Sequence, residues 1–435
     1  MPRTLYTLAW WTLLPFVPLR LWWRGRREPL YRESIGERFG RYAAASVPAP
    51  KRGCVWIHAV SLGETRAVAP LVERLLLEHP DAGILLTSMT ASGRDAGRSL
   101  YGDRVSRAWL PYDVPFAVDA FLDHFGPSAG ILVETEVWPN LVAASAKRGI
   151  PIYLVNARMS ERSARGYARF ASLSRPMFAS LSGIAAQTDA DATRLSALGA
   201  SELEVTGSIK FDVDVPAPLV ERGTALREAI GRGRSVWLAA STREGEEALI
   251  LDALQRAHSM DAVLILVPRH PQRFDDVAAM LDARGIAYTR RSAKSPVAPA
   301  TRVVLGDTMG EMLVYCTACD VAFVGGSLLP LGGQNLLEPL AAGVPTLVGP
   351  HTFNFAEATQ RAIDANAALR VADADDLVRV VAALLHDAPR RSRMKDCAAR
   401  FMSEHRGATD RLWRWLAPRL GRALERGGVS PSTGG

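Results

Sequence analysis

Short, largely apolar runs alternate with amphipathic stretches along most of this chain. The runs fall at 53–59, 82–87, 129–133, 152–155, 183–186 and 203–206, and again at 236–239, 263–267, 287–289, 303–305, 321–324 and 346–348. Brief continuous runs bounded by Gly, Pro or polar residues have the length of strands buried on both faces. Between them, stretches such as 67–78 and 117–124 repeat apolar residues at helical spacing. This alternation predicts an α/β fold, with parallel sheets covered on both faces by helices. The polar, proline-bearing stretch 212–217 divides the two series and reads as a hinge. Two Rossmann-like domains facing a cleft are therefore expected, over 28–217 and 218–426, with ligands at the carboxyl ends of the strands. The last helical stretch, 408–424, is rich in Arg and Trp and can pack back on the first domain. Pro418 is expected to kink or split it. The Gly/Ser/Pro tail 427–435 is expected to be disordered.

The N-terminus breaks the alternation. Residues 4–19 are apolar, with Trp10, Trp11, Trp22 and Trp23 in or just after the run and Arg20, Arg24, Arg26 and Arg27 behind it. A spanning helix needs about 20 apolar residues, and Pro15 and Pro18 interrupt this one. No small-residue cleavage pattern follows, which argues against a cleaved signal peptide. Residues 1–27 read as a marginal signal anchor or an interfacial helix, with a buried core helix as the bland alternative. The basic flank places the rest of the chain on the cytoplasmic side. Charge sharpens this reading. The chain carries +7 overall, and residues 1–52 hold ten Lys/Arg against three Glu, so the remainder is neutral. Anionic membrane lipid, not a nucleic acid wrapped by the whole protein, is the expected partner of this segment.

At 435 residues with 48% hydrophobic and 22% charged content, the chain can bury two cores and is not disordered. Four cysteines, at 54, 316, 319 and 397, imply no disulfide framework and fit a reducing compartment. The lone Cys316-Thr317-Ala318-Cys319 lacks the second pair of a zinc site.

Candidate chemistry gathers where strands end. Glu64, in Ser61-Leu62-Gly63-Glu64, stands where a loop enters a helix. It is either a general base for an attacking hydroxyl or a carboxylate favoured by the helix dipole. Glu134 and Glu136, in Glu134-Thr135-Glu136-Val137-Trp138-Pro139-Asn140, can orient an acceptor, offset a cationic partner or form a solvated pair. Lys210, before the hinge, can stabilise developing negative charge or be simply solvated. In the second series, Ser241 and Thr242, Arg269 and His270, and Met309, Gly310 and Glu311 each follow a strand. The loop Gly332-Gly333-Gln334-Asn335-Leu336-Leu337-Glu338-Pro339 has glycines that permit close approach to a ligand, Asn335 as a helix cap, and Glu338 in the first turn. N–H groups there suit phosphate, and the carboxylate suits ribose hydroxyls. Singly each is an ordinary helix start. Converging on one side, they point to a nucleotide-linked donor.

These motifs, with Gly36-Glu37-Arg38-Phe39-Gly40, Asn156-Ala157-Arg158, Gly207-Ser208-Ile209-Lys210-Phe211-Asp212 and Gly306-Asp307-Thr308, occur in one order over nearly the whole length. In that order the chain resembles the 3-deoxy-D-manno-octulosonic acid (Kdo) transferases of lipopolysaccharide biosynthesis. The resemblance implies a GT-B fold on the cytoplasmic side of the cell inner membrane, with CMP-Kdo as donor and lipid IVA as acceptor. It implies an inverting transfer with no essential cofactor or metal. Glu64 would then be the general base, with Glu134 and Lys210 assisting. Ser241, Thr242, Arg269, His270, Met309, Gly310, Glu311, Asn335, Leu336, Leu337 and Glu338 would hold CMP-Kdo. Arg243 departs from the His that many members carry there. A sugar-nucleotide epimerase on the same fold and a non-catalytic membrane scaffold are the alternatives. The first has no use for the N-terminal segment, the second none for the strand-end loops.

Overall fold

The computed structural model describes residues 2–26, 28–42, 53–257 and 261–428. Arg27, Lys51 and Arg52 of the basic flank, and residues 429–435 of the tail, lie outside the described residues. The chain divides into two compact units, Met1–Asp212 with Gly407–Gly435, and Val213–Arg406.

The first unit holds strands β1 (Val55–His58), β2 (Ile84–Ser88), β3 (Ser106–Trp109), β4 (Ala129–Val133), β5 (Ile152–Ala157), β6 (Gly183–Ala186) and β7 (Leu203–Val205). They form one parallel sheet in the order β3-β2-β1-β4-β5-β6-β7. Alternate side chains separate cleanly between its two faces. Trp56, Leu85, Leu132 and Leu154 join one buried cluster, and Val55, Ile57, Ile131, Val133 and Val155 join the other. Full burial of each such side chain contributes about 1.5–3 kcal/mol. The second unit repeats the plan with β8 (Ser235–Thr242), β9 (Ala262–Pro268), β10 (Tyr288–Arg290), β11 (Val303–Leu305), β12 (Val321–Val324), β13 (Thr346–Val348) and β14 (Ala368–Arg370). Its parallel order is β10-β11-β9-β8-β12-β13-β14.

Strand order reverses beside β1 in one sheet and beside β8 in the other. The crevices at the carboxyl ends of β1/β4 and β8/β12 are therefore the positions where such sheets take ligands. β3 and β14 are edge strands absent from the sequence reading. β3 is polar at Ser106 and Arg107, and β14 ends in the exposed Arg370, so neither carries a continuous buried apolar run. The expected helix over 67–78 is two helices, Leu62–Ala67 and Ala69–Glu78. Pro70 starts the second, because a missing N–H is harmless only in a first turn.

The expected boundaries need correcting. The first unit ends at Asp212, not 217, and residues 407–426 belong with it instead of closing the second domain. The Asp212 carboxylate accepts from the N–H groups of Gly407 and Thr409, both at 2.6 Å, and so caps the last helix, Ala408–Arg426. Trp413 Nε1 donates to Glu78 at 2.7 Å. Pro418 does not split this helix. Leu412, Leu416, Leu420 and Leu424 bury one stripe of it against the first sheet. That burial outweighs a proline cost of about 3 kcal/mol.

The N-terminal run is a helix, Arg3–Leu13, a tight turn, Leu14–Phe16, and a second helix, Val17–Arg24, with both prolines at starts. Among the described residues no helix is long and apolar enough to cross a membrane. Nor is this a core helix, since Arg3–Leu13 buries nothing. One side rests on the first unit. Thr7 bonds Asn140 at 3.1 Å, and Trp10 and Trp11 meet Tyr112 and Phe116 at 5.7 and 5.5 Å. The other side leaves Leu8, Phe16, Leu19 and Trp23 each about 60% exposed or more. Behind it, the buried Arg38 guanidinium sits 3.8 Å over Trp109, and Glu37 pairs with Arg94 at 2.9 Å. Gly36–Gly40 thus fixes this segment to the β2/β3 edge.

Candidate active site

In the first unit the crevice between β1 and β4 gathers the acidic motifs. Ser61 caps the helix Leu62–Ala67 and accepts from the Glu64 N–H at 3.4 Å. Glu64 reaches back, taking the Val60 N–H at 2.8 Å and the Ser61 hydroxyl at 2.9 Å. This reciprocal capping box fixes the carboxylate where the strand ends. Burial first, and then the negative charges of Glu134 and Glu136, bring the Glu64 carboxyl up to about 7, against the Val60 and Ser61 hydrogen bonds. Of the two readings of Glu64, the geometry shows the helix-start one, and the raised carboxyl leaves room for the other. It caps a helix, and it titrates where a general base is effective.

Glu134 follows β4 with φ +64°, a left-handed conformation sparsely populated by residues other than Gly. Its carboxylate is nearly buried and meets the Lys210 ammonium at 2.6 Å. Lys210 is therefore ion-paired and not simply solvated. Burial raises the Glu136 carboxyl as well. A residue missed as a contributor is Asn156, fully buried at φ +51° in β5. Its side-chain oxygen accepts from the Ile209 N–H at 3.2 Å, which sets the turn Ile209–Phe211 that presents Lys210. Strain of about 1–3 kcal/mol at each such position persists only where the surroundings impose it, and it clusters at functional sites.

In the second unit the loops after β8, β9 and β12 converge. Gly325 lies so close to the first of them that an added Cβ would fall 2.6 Å from the Thr242 Cα. Ser241 sits at φ +55°. Thr242 is buried and its hydroxyl donates to Glu247 at 3.0 Å, so it braces the loop from within. Arg269 donates its N–H to the Thr242 carbonyl at 2.9 Å and its Nε–H to Gln334 at 3.2 Å. His270 is held below its ordinary value by burial and by the cations Arg243 and Arg269. Three basic side chains on adjacent strand ends have the chemistry to receive an anion. Under it lies Glu246, absent from the sequence-derived site. Fully buried, its carboxylate accepts from the N–H groups of Arg243 at 2.9 Å, Gly326 at 2.5 Å and Leu328 at 2.9 Å. The signal was available, since a carboxylate three residues past Arg243 at a helix start suits capping.

The loop 332–339 keeps its expected start. Asn335 accepts from the Leu337 N–H at 3.0 Å, and Glu338 lies in the first turn of Leu337–Ala341. Leu336 and Leu337 are buried and anchor it. The fold gives Gly332 a reason of its own. It holds φ +91°, and a Cβ there would fall 2.3 Å from Asn354 Nδ2, so the fold itself requires it. The Met309–Glu311 turn follows β11, next to β9. Its Glu311 carboxylate is already engaged by Arg222, by Arg291 at 3.2 Å and by Thr308. Against the effect of burial, these partners hold it below the ordinary carboxylate range. What this turn offers a ligand is Met309, 57% exposed, and the Gly310 backbone at φ +78°. Cys316 is buried and its thiol is raised well above its ordinary value by burial, in keeping with a structural role.

The basic trio predicts anion affinity directly. Arg269→Ala should weaken CMP binding by about 1.5–3 kcal/mol, the range for hydrogen bonds to charged groups. Calorimetric titration with CMP checks this, and equal affinity in the variant and the parent would rule it out.

Comparison with known proteins gives the same fold and supplies its chemistry. A solved glycosyltransferase from Rickettsia africae superposes with a TM-score of 0.55 over 86% of this chain and 99% of its own, at 10% identity. At that identity the likeness speaks for the fold, a GT-B architecture. Residues 33–213 match the family model of 3-deoxy-D-manno-octulosonic-acid transferase (kdotransferase). The 3-deoxy-D-manno-octulosonic acid transferase of Bordetella pertussis is 47% identical over 96% of this chain and all of its own. That of Haemophilus influenzae is 38% identical over 91% and 93%. This chain belongs to the 3-deoxy-D-manno-octulosonic acid transferase family, glycosyltransferases of lipopolysaccharide biosynthesis.

Proposed function

We propose that this enzyme transfers Kdo from CMP-Kdo to a hydroxyl of lipid IVA with inversion at the anomeric carbon. The observation that carries the reading is the Glu64 carboxyl, raised to about 7 beside the 2.6 Å Glu134–Lys210 pair at the β1/β4 crevice. Ionised Glu64 takes the proton of the acceptor hydroxyl as its oxygen bonds to the anomeric carbon. The bond from that carbon to the CMP phosphate oxygen breaks on the opposite face, and CMP leaves with the electron pair. Carboxylates nearby favour the oxocarbenium character of the transition state. Glu134 keeps Lys210 in place, and the ammonium stabilises developing negative charge. In the second unit, Arg243, Arg269 and His270 face the nucleotide phosphate, and Glu338 takes ribose hydroxyls. Incubation with CMP-Kdo and lipid IVA should yield a lipid heavier by whole Kdo units. Unchanged lipid mass would overturn the reading.

The N-terminal helices hold the enzyme on the cytoplasmic face of the inner membrane in this proposal. Exposed Leu8, Phe16, Leu19 and Trp23 enter the lipid boundary, and Arg20, Arg24 and Arg26 meet anionic headgroups. Each basic residue near the surface contributes about 1 kcal/mol. Deleting residues 1–27 should release the protein from vesicles and leave CMP affinity intact, because the CMP loops lie in the other unit. If the truncated protein still floats fully with vesicles at high salt, the anchor lies elsewhere.

A further inference from the structure

The helix Glu161–Arg169 buries none of its residues. It follows β5, so it stands at the same sheet edge as the loops carrying Glu64 and Glu134, next in the order β1-β4-β5. Ala164 and Tyr167 form its inner side. Both pack on the first core, and Tyr167 meets Phe178 edge-on at 5.2 Å. Arg162, Arg165 and Arg169 are spaced by three and four residues on the opposite side, and all are exposed. Arg158, also exposed, extends this row to the catalytic loop, where its N–H donates to the Glu134 carbonyl at 3.4 Å.

Like charges three and four residues apart on a helix repel one another. Here little offsets that repulsion. Glu161 lies 3.7 Å from Arg165 with both side chains 72% exposed, and among the described residues Arg158, Arg162 and Arg169 form no ion pair. Some other surface arginines of this unit are paired, such as Arg104 with Glu73 at 2.8 Å and Arg148 with Asp119 at 2.8 Å and Asp123 at 2.9 Å. A row in which three of four guanidinium groups have no ion pair suits phosphate, which a guanidinium can bind with two parallel hydrogen bonds. We propose that this row binds the phosphate groups on the sugar headgroup of the acceptor lipid and so delivers its hydroxyl toward Glu64. This inference rests on the acceptor reading above.

The test uses the full chain carrying Arg162→Gln and Arg169→Gln, assayed with lipid IVA in neutral-detergent micelles. KM for lipid IVA should rise about tenfold or more, with kcat within about twofold and CMP affinity unchanged. With dephosphorylated lipid IVA, parent and variant should share one raised KM. An unchanged KM for lipid IVA overturns the proposal, as does an equal penalty on the dephosphorylated lipid. An unchanged KM with weaker flotation on anionic vesicles would assign the row to bulk membrane lipid and also overturns it. A parent enzyme inert toward lipid IVA overturns the acceptor reading and this row with it. An active parent beside an unaltered variant overturns the arginine row alone.

Discussion

Glu64→Gln is expected to lower turnover by about 10² or more while CMP binding persists. The substitution is conservative for the fold. A glutamine completes the capping box with Val60 and Ser61 as a glutamate does, so the helix Leu62–Ala67 should stay in place. What it removes is the proton acceptor. The pH dependence makes the assignment more specific. Glu64 acts as a base only when ionised, and burial with Glu134 and Glu136 nearby puts its carboxyl at about 7. Activity should therefore fall as pH drops below about 7 and level off above it. Glu136→Gln removes one of the charges that raise it, so that limb should move to lower pH. The residual activity of Glu64→Gln should lack the limb. Near-normal turnover in this variant, or an unmoved limb in Glu136→Gln, would show that another group takes the proton.

The second large effect is expected at Glu246, which binds no ligand in the proposed mechanism. Its two carboxylate oxygens accept three N–H groups, from Arg243, Gly326 and Leu328, with no exposure to solvent. A glutamine offers one oxygen and turns an NH2 toward a donor. At least one charge-assisted bond is lost, about 1.5–3 kcal/mol, and a buried N–H is left unsatisfied, about 1–3 kcal/mol more. Glu246→Gln should therefore lower the melting temperature of the second unit by roughly 5–15 °C. It should also weaken CMP binding about tenfold, because the loops after β8 and β12 lose their common anchor. Scanning calorimetry with and without CMP reads both effects. An unaltered melting temperature would mean the buried carboxylate contributes nothing, which the three hydrogen bonds contradict.

The two residues show what was legible in the sequence. Glu64 announces itself, because Ser61-Leu62-Gly63-Glu64 after an apolar run is a local signal for a strand end and a capped helix. Glu246 belongs to the same kind of motif, but its partners Gly326 and Leu328 lie about eighty residues on, at separations of 80 and 82. Nothing local tells a buried anchor from an exposed first-turn glutamate. Asn156 is similar. Its link to Ile209 spans 53 residues and gives Lys210 its place.

The sequence by itself determined the strands whose side chains are apolar on both faces. β4, β6, β11, β12 and β13 begin and end where the runs do. Continuous apolar runs have no stable alternative to burial on both sides, so pattern alone specifies them. It also determined which residue types crowd the strand ends, since Gly, Asn, Ser and acidic residues there serve turns and caps. Only the tertiary structure decided the rest. The edge strands β3 and β14 form because a neighbour offers hydrogen bonds, not because their own residues demand it. The stretch 408–424 read as able to pack back on the first domain, but its place is decided by the distant Asp212 cap and by the match of the stripe Leu412–Leu424 to that sheet. The structure also separated a Glu311 engaged by arginines from a Glu64 left able to titrate, although both are glutamates near helix starts. Desolvation and charge at a carboxylate are sums over neighbours distant in sequence, and folding is what brings those neighbours together.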